Sequence, residues 1–284
     1  AGLVKGASKG EGLGNKFLSH IREVDAVIHM IRCFDSDDIQ NVNSSVDPIR
    51  DLEIIETEMM IADIESINKR LEKNNKKNLE EDQVNLLEMV LDYINNNKNM
   101  DELNKIFTKK QLKLSGMLSV KPKIYVCNVD EKSIVDGNNY TKKFIEKFGI
   151  DNTLIVSADI ENQINDLVDK NEKKNFMEML NIKETGLNNL IKKGYNLLSL
   201  ETFFTSGPEE SRAWTITKNC TAPKAAGEIH TDFEKGFIRA ETISYDDFIK
   251  NEGWVKSKEN GKMRLEGKDY IVKDGDVLNF RFNT

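Results

Sequence analysis

Asp25-Ala-Val-Ile-His-Met-Ile-Arg-Cys-Phe34 is a near-continuous apolar run. A strand covered on both faces reads this way, because neither of its alternating sets of side chains meets water. The run predicts a central strand of a parallel sheet. Just ahead of it, Asn15 to Glu23 spaces Phe17, Leu18 and Ile21 at helical intervals, and a helix next to a buried strand suggests a doubly wound α/β sheet. His29 sits inside the run among Val27, Ile28, Met30 and Ile31. A lone histidine so placed reads as a satisfied core residue rather than a base.

The opening Ala1-Gly-Leu-Val-Lys-Gly-Ala-Ser-Lys-Gly-Glu-Gly-Leu-Gly14 holds five glycines. Glycine loses more freedom on ordering than any other residue, and a Gly-rich loop beside a strand is how nucleotide switches are built. A linker would also be Gly-rich, but without the apolar punctuation of Leu3, Val4, Leu13 and Phe17.

Downstream, Asp47-Pro48 is a helix start, with Asp as cap and Pro where its missing N–H costs nothing. Met60, Ile64, Ile67 and Leu71 form one helical stripe, and Val84, Leu87, Leu91 and Ile94 form a second after the polar break at 73–78. Such stripes are packing surfaces, so this predicts a helical hairpin without chemistry. Between Leu103 and Val129 there are six lysines, Lys105, Lys109, Lys110, Lys113, Lys121 and Lys123, and no acidic residue. The segment reads either as a solvated face or as a contact to a phosphate backbone. Lys123-Ile-Tyr-Val-Cys-Asn128 and Thr153-Leu-Ile-Val-Ser157 then read as strands ending in polar residues. Ligands of open α/β sheets lie at the carboxyl ends of strands, so the two ends point to one crevice. Residues 159–199 look helical.

Composition changes near Leu200. Short segments at 202–206, 212–217, 236–243, 269–273 and 277–282 are rich in β-branched and aromatic residues, with Asp274-Gly275 as a hairpin signal between the last two. Helical patches at 223–229 and 245–250 interrupt them. A small mixed sheet with a helix across it, a β-grasp arrangement, is expected as a second core.

At 284 residues the chain has room for two or three domains, and 38% hydrophobic with 31% charged residues is ordinary soluble composition. The net charge of -7 argues against a surface that is all nucleic-acid footprint. No apolar run approaches the roughly 20 residues of a membrane span, and the first residues read as neither a signal nor a transit peptide; a soluble, cytoplasmic protein is expected. Cys33, Cys127 and Cys220 lack the spacing of a disulfide framework or zinc site. His20, His29 and His230 lack a nucleophile-elbow context, which sets aside a Ser-His-Asp hydrolase.

Taken together, Ala1-Gly-Leu-Val-Lys-Gly-Ala7, Gly10-Glu-Gly-Leu-Gly-Asn-Lys-Phe17, Arg32-Cys-Phe34, Asn128-Val-Asp-Glu131 and Ser157-Ala158 resemble the YchF, or Obg-like ATPase, family of P-loop NTPases. Ala213-Trp-Thr-Ile216, the segment from Ala225 to Glu241, and Gly267-Lys-Asp-Tyr-Ile-Val-Lys-Asp-Gly-Asp276 are similar to its carboxy-terminal TGS domain. The resemblance implies a P-loop NTPase-like, doubly wound α/β domain over 1–47 and 117–199, a helical-hairpin, coiled-coil-like insertion over 48–116, and a TGS β-grasp domain over 200–284.

It also implies ATP, with Mg, as the nucleotide, and the ribosome or RNA as partner. Asn128, Val129 and Glu131 would meet the base, Ser157 and Ala158 would close the pocket, and Gly2 would sense the γ-phosphate. GTPases use the last position of Asn-Lys-x-Asp to accept hydrogen bonds from guanine; adenine has an acceptor where guanine has its ring N–H. Leu3 follows Gly2 where many GTPases have the Gln that orients water, so slow turnover is implied. Seen singly, Asn128 reads as a turn residue and Ser157 as a helix cap. No G-x-x-x-x-G-K-[ST] occurs anywhere, so the phosphate-binding loop and the magnesium ligands are expected upstream of Ala1, and the chain as written is expected to bind ATP poorly and to be inactive. No metal ligand or catalytic residue is assigned within it. A monomer is expected. The alternative is a non-catalytic RNA or protein interaction module that uses the TGS domain and the basic segment 105–123.

Overall fold

Parallel strands cannot be joined by a tight turn and need a crossover of a dozen or more residues, and long crossovers organise the first part of the chain. The computed structural model describes residues 13–36, 45–96, 98 and 100–283, and the chain divides into two units, 1–194 and 195–284. In the first unit, β1 (Val27–Arg32), β2 (Lys123–Asn128) and β3 (Thr153–Val156) form a parallel sheet in the order β1-β2-β3. The register pairs Arg32 with Asn128 and Asn128 with Val156, so the three carboxyl ends lie along one edge.

The reading of β1 as the central strand is corrected. Among the described strands β2 is central, buried at four successive positions from Ile124 to Cys127. In β1, His29 and Ile31 are buried while Ile28 is 51% and Met30 61% exposed. An apolar run reports which residues tolerate burial, not which strand sits on each side.

His29 is buried, but it is not satisfied: its Nε2 has no hydrogen-bond partner among the described residues. Burial, then the nearby Lys123 cation, holds its pKa down to about 4, against an opposing pull from Glu56.

The 24-residue helix Pro48–Leu71 starts as expected, with the Asp47 side chain accepting from Arg50 N–H at 3.1 Å. It returns as Glu81–Asn95, and Ile67, Leu86, Leu87, Val90 and Ile94 bury together, joined by Leu103, Phe107, Leu112, Met117 and Val120. The chain re-enters the sheet over Leu118 to Lys121. Asp63, fully buried, accepts from Leu118 N–H at 2.9 Å, from Ser119 N–H at 2.8 Å and from Ser119 Oγ at 2.7 Å. Burial pushes its pKa above the usual carboxylate range, and those three donors pull the other way.

In the second unit, β4 (Leu200–Ser206), β5 (Ser211–Thr217), β6 (Phe237–Ser244), β7 (Arg264–Glu266) and β8 (Asp276–Phe282) form a mixed sheet in the order β5-β4-β8-β6-β7. The helix Ala222–Ile229 crosses one face, and its Ala222, Ala225 and Ala226 pack on Phe203, Ile216, Leu278 and Phe280. This is the β-grasp arrangement. Two expectations fail within it. Residues 269–273 are not a strand, since Ile271 makes only an isolated bridge to Thr221. Asp274-Gly275 is not a hairpin, because β7 and β8 each pair with β6 rather than with one another. Instead Asp274 Oδ1 accepts from Thr202 N–H and Gly275 N–H donates to the Thr202 carbonyl, both at 2.8 Å, with Gly275 at φ +83°. Among the described residues no helix is long and apolar enough to cross a membrane.

Two outcomes follow from these buried groups. Asp63→Ala strands two buried main-chain N–H groups and a hydroxyl, and is expected to cost about 3 kcal/mol or more in urea unfolding followed by circular dichroism. For His29, a pKa of about 4 when folded against 6.5 otherwise means the unfolded chain takes the proton first. Its contribution is complete above pH 6.5 and is lost as pH falls toward 4, by about 2 kcal/mol at pH 5. His29→Leu should flatten the unfolding free energy over that window; an unchanged pH dependence would exclude His29 as its source.

Candidate functional site

β2 and β3 are adjacent and parallel, so Asn128 at the end of β2 stands beside Val156 at the end of β3. Val129 N–H donates to the Val156 carbonyl at 2.9 Å, which carries the pairing one residue beyond β2. Ser157 follows and the helix Ala158–Asp166 begins. A helix start leaves its first N–H groups without intrahelical acceptors. Here Asn128 Oδ1 accepts from Ala158 N–H at 2.9 Å.

That bond corrects both single-residue readings. Ser157 occupies the cap position, but its side chain makes no capping bond, and its Oγ is fully buried without a partner among the described residues. Asn128, thirty positions away in sequence, caps the helix across the sheet instead. A main-chain N–H must meet an acceptor, so the amide orientation is set by chemistry: Oδ1 toward Ala158 and Nδ2 left without a partner among the described residues.

Asn128, Val129, Ser157 and Ala158 are therefore brought together. Glu131 opens a single 3-10 turn, Glu131–Ser133, three residues beyond Asn128, with an exposed side chain. Gly2 and Leu3 lie outside the described residues.

The six lysines do not form one surface. Lys121 is buried and donates through Nζ to the carbonyls of Arg22 at 2.9 Å and Val24 at 2.6 Å, and burial pushes its pKa below the ordinary value. Lys123 pairs with Glu56 at 2.8 Å, both side chains only 17% exposed. These two hold the fold together and are withdrawn as phosphate contacts. Lys113 is exposed and pairs with Asp25 at 2.6 Å. Lys105 and Lys110 are exposed, and the side chain of Lys109 lies outside the description. The basic count was legible in sequence; the acceptors that engage it come from positions 22, 24, 25 and 56.

The family profile YchF-GTPase_C, described as "Protein of unknown function (DUF933)", matches residues 200–283. The chain is similar to two proteins named ribosome-binding ATPase YchF. The one from Bacillus subtilis (strain 168) is 47% identical over 295 residues, and the one from Haemophilus ducreyi (strain 35000HP / ATCC 700724) is 47% identical over 297. Each alignment covers 100% of this chain and 80% of the relative. Among solved structures it is similar to that of the Schizosaccharomyces pombe YchF GTPase, with a TM-score of 0.80 and 34% identity over 99% of this chain and 78% of that one.

Two substitutions at the strand ends should behave oppositely. Asn128→Ala uncaps Ala158 and is expected to cost about 1 kcal/mol, whereas Ser157→Ala removes a hydroxyl without a partner among the described residues and should be neutral or slightly stabilising. Equal losses in denaturant unfolding would contradict the hydrogen bonding described.

Proposed function

The chain belongs to the YchF family, and on that premise we propose that it is the greater part of a nucleotide-switch ATPase that takes ATP over GTP and associates with the ribosome. The observation that supports the choice of base is the Asn128–Ala158 bond. Asparagine recognises adenine in two places at once, Nδ2 donating to N7 and Oδ1 accepting from the 6-amino group. Asn128 is held with Oδ1 on the Ala158 N–H and Nδ2 without a partner among the described residues, and the second lone pair of Oδ1 could accept from a 6-amino group. An Asn also opens the guanine motif, so the discrimination would lie in its partner: the Ala158 N–H that could answer the guanine 6-oxygen is already engaged by Oδ1, leaving that oxygen against an acceptor. Val129 closes the same edge with its main chain. Glu131, exposed and one carbon longer than the Asp that serves guanine, does not supply a fixed acceptor for the guanine ring N–H.

The base end thus fits ATP on the residues present. Phosphate and Mg are assigned to residues outside those described, Gly2 among them, and the 284 residues contain no G-x-x-x-x-G-K-[ST], so on their own they should bind ATP weakly and not hydrolyse it. Bound Mg would offset the phosphate charge. Leu3 in place of a water-orienting Gln supports slow intrinsic turnover. The domain limits we assign are 1–47 with 117–199 for nucleotide, 48–116 for the insertion and 200–284 for the TGS module, in a cytoplasmic monomer. The ribosome enters through the relatives' names, which state it of those proteins. Lys105 and Lys110 remain the residues we place against RNA phosphates.

ATP and GTP should be compared by calorimetric titration in a chain carrying a phosphate-binding loop ahead of Ala1. ATP is expected to bind at least about tenfold more tightly, the worth of one lost hydrogen bond plus one acceptor–acceptor contact. Asn128→Ala should bring the two affinities together, and equal or tighter binding of GTP by the unsubstituted chain overturns the assignment.

A further inference from the structure

The second unit carries a concavity that the nucleotide reading leaves unused. Phe204, Ser244, Tyr245, Asp246, Asp274 and Gly275 line a cavity of about 330 Å³, at the lower end of the range for small-ligand pockets. It lies where β4, the start of β8 and the end of β6 meet the helix Tyr245–Lys250.

Its walls are aromatic and its charge is of one sign. The Phe204 and Tyr245 rings lie 5.6 Å apart and tilted, and Tyr245 is 49% exposed, a large aromatic surface left in water. Asp246 and Asp274 are exposed, and no Lys or Arg lines the cavity. Asp274 is held rigidly: its Oδ1 takes the Thr202 N–H at 2.8 Å, and Oδ2 has no partner among the described residues. Ile249, one helical turn beyond Tyr245, is 57% exposed.

A guanidinium answers each of these features. It stacks on aromatic faces, donates in a fork to carboxylates and is weakly hydrated enough to leave water for such a site. A phosphate backbone answers none of them and would be repelled by both carboxylates. We propose that this concavity is a docking socket for an arginine-bearing basic segment of a partner protein. The assignment concerns protein rather than nucleic acid, and it does not depend on the nucleotide reading.

The test is fluorescence anisotropy with a labelled hexa-arginine peptide and the whole chain, at low salt and without nucleotide, so that its outcome is separate from ATP binding. The peptide is expected to bind, and to weaken about threefold with Tyr245→Ser and about tenfold with Asp246→Asn combined with Asp274→Asn, in which the Asn oxygen still accepts from Thr202. Glu228→Gln, on the helix that crosses the opposite face of the sheet, should leave binding within about twofold. Thermal unfolding confirms that each variant is folded, and Tyr245→Ser keeps the test open if the double variant is not. Binding unaffected by the socket variants, or weakened equally by Glu228→Gln, would mean attraction to net charge alone and overturns the proposal. So would binding of a labelled single-stranded RNA that Tyr245→Ser abolishes.

Discussion

The first unit depends on one buried carboxylate. A long helical excursion leaves the sheet after β1 and must return to the same sheet in register, and the chain offers little regular structure at the point of return. Asp63 supplies the anchor: three donors from Leu118 and Ser119 converge on it in a site without solvent exposure. Hydrogen bonds to an ionised acceptor are worth about 1.5–3 kcal/mol each, enough to offset much of the cost of burying the charge. With Leu118 and Ser119 fixed, Lys121 reaches the Arg22 and Val24 carbonyls, and the Pro122 carbonyl accepts from Val27 N–H at 2.9 Å. β2 then starts opposite Val27 and no other residue.

Register at the near end of β2 decides what stands at its far end. A one-residue slip would turn Asn128 to the other face of the sheet and separate it from Ala158. The cradle is thus the downstream result of a packing decision made six residues earlier. The bond that fixes this amide also caps a helix, so under the proposed reading stability and recognition would share one side chain. Deleting the Asn128 side chain to test the proposed recognition role would therefore disturb the fold as well, and comparison with the structural effect at Ser157 separates the two.

Much of this was legible in residue order. An apolar run that ends in a polar residue gave both strand tips, and Asp47-Pro48 gave the start of the excursion, because those signals are local. What was not legible depended on neighbours distant in sequence. β1 is as apolar as β2, yet its Ile28 and Met30, which share one face, are exposed, because burial depends on what packs over that face. Asp274-Gly275 has the chemistry of a hairpin turn, but its bonds go to Thr202, some seventy positions earlier. His29 was read as a satisfied core residue because its sequence neighbours are apolar, yet its Nε2 has no partner among the described residues, and the charges that act on it, Lys123 and Glu56, come from distant positions. The lysines between Leu103 and Val129 read as a solvated face or a phosphate contact; Glu56, Asp25 and the carbonyls of Arg22 and Val24 engage three of them.

Net charge conceals a division of labour that the folded chain restores. An overall charge of -7 describes neither Lys105 and Lys110, exposed on the first unit, nor the carboxylates of Asp246 and Asp274 around an aromatic concavity in the second. Exposed charges interact over about 10 Å at moderate ionic strength, so each patch addresses its partner through its own immediate field rather than through the average. Phosphate would be drawn to exposed lysines and basic polypeptide to the acidic-aromatic concavity, so the two kinds of charge favour different chemistries. The physical consequence is opposite selectivity at the two surfaces: what repels RNA at the second unit is what would hold arginine there.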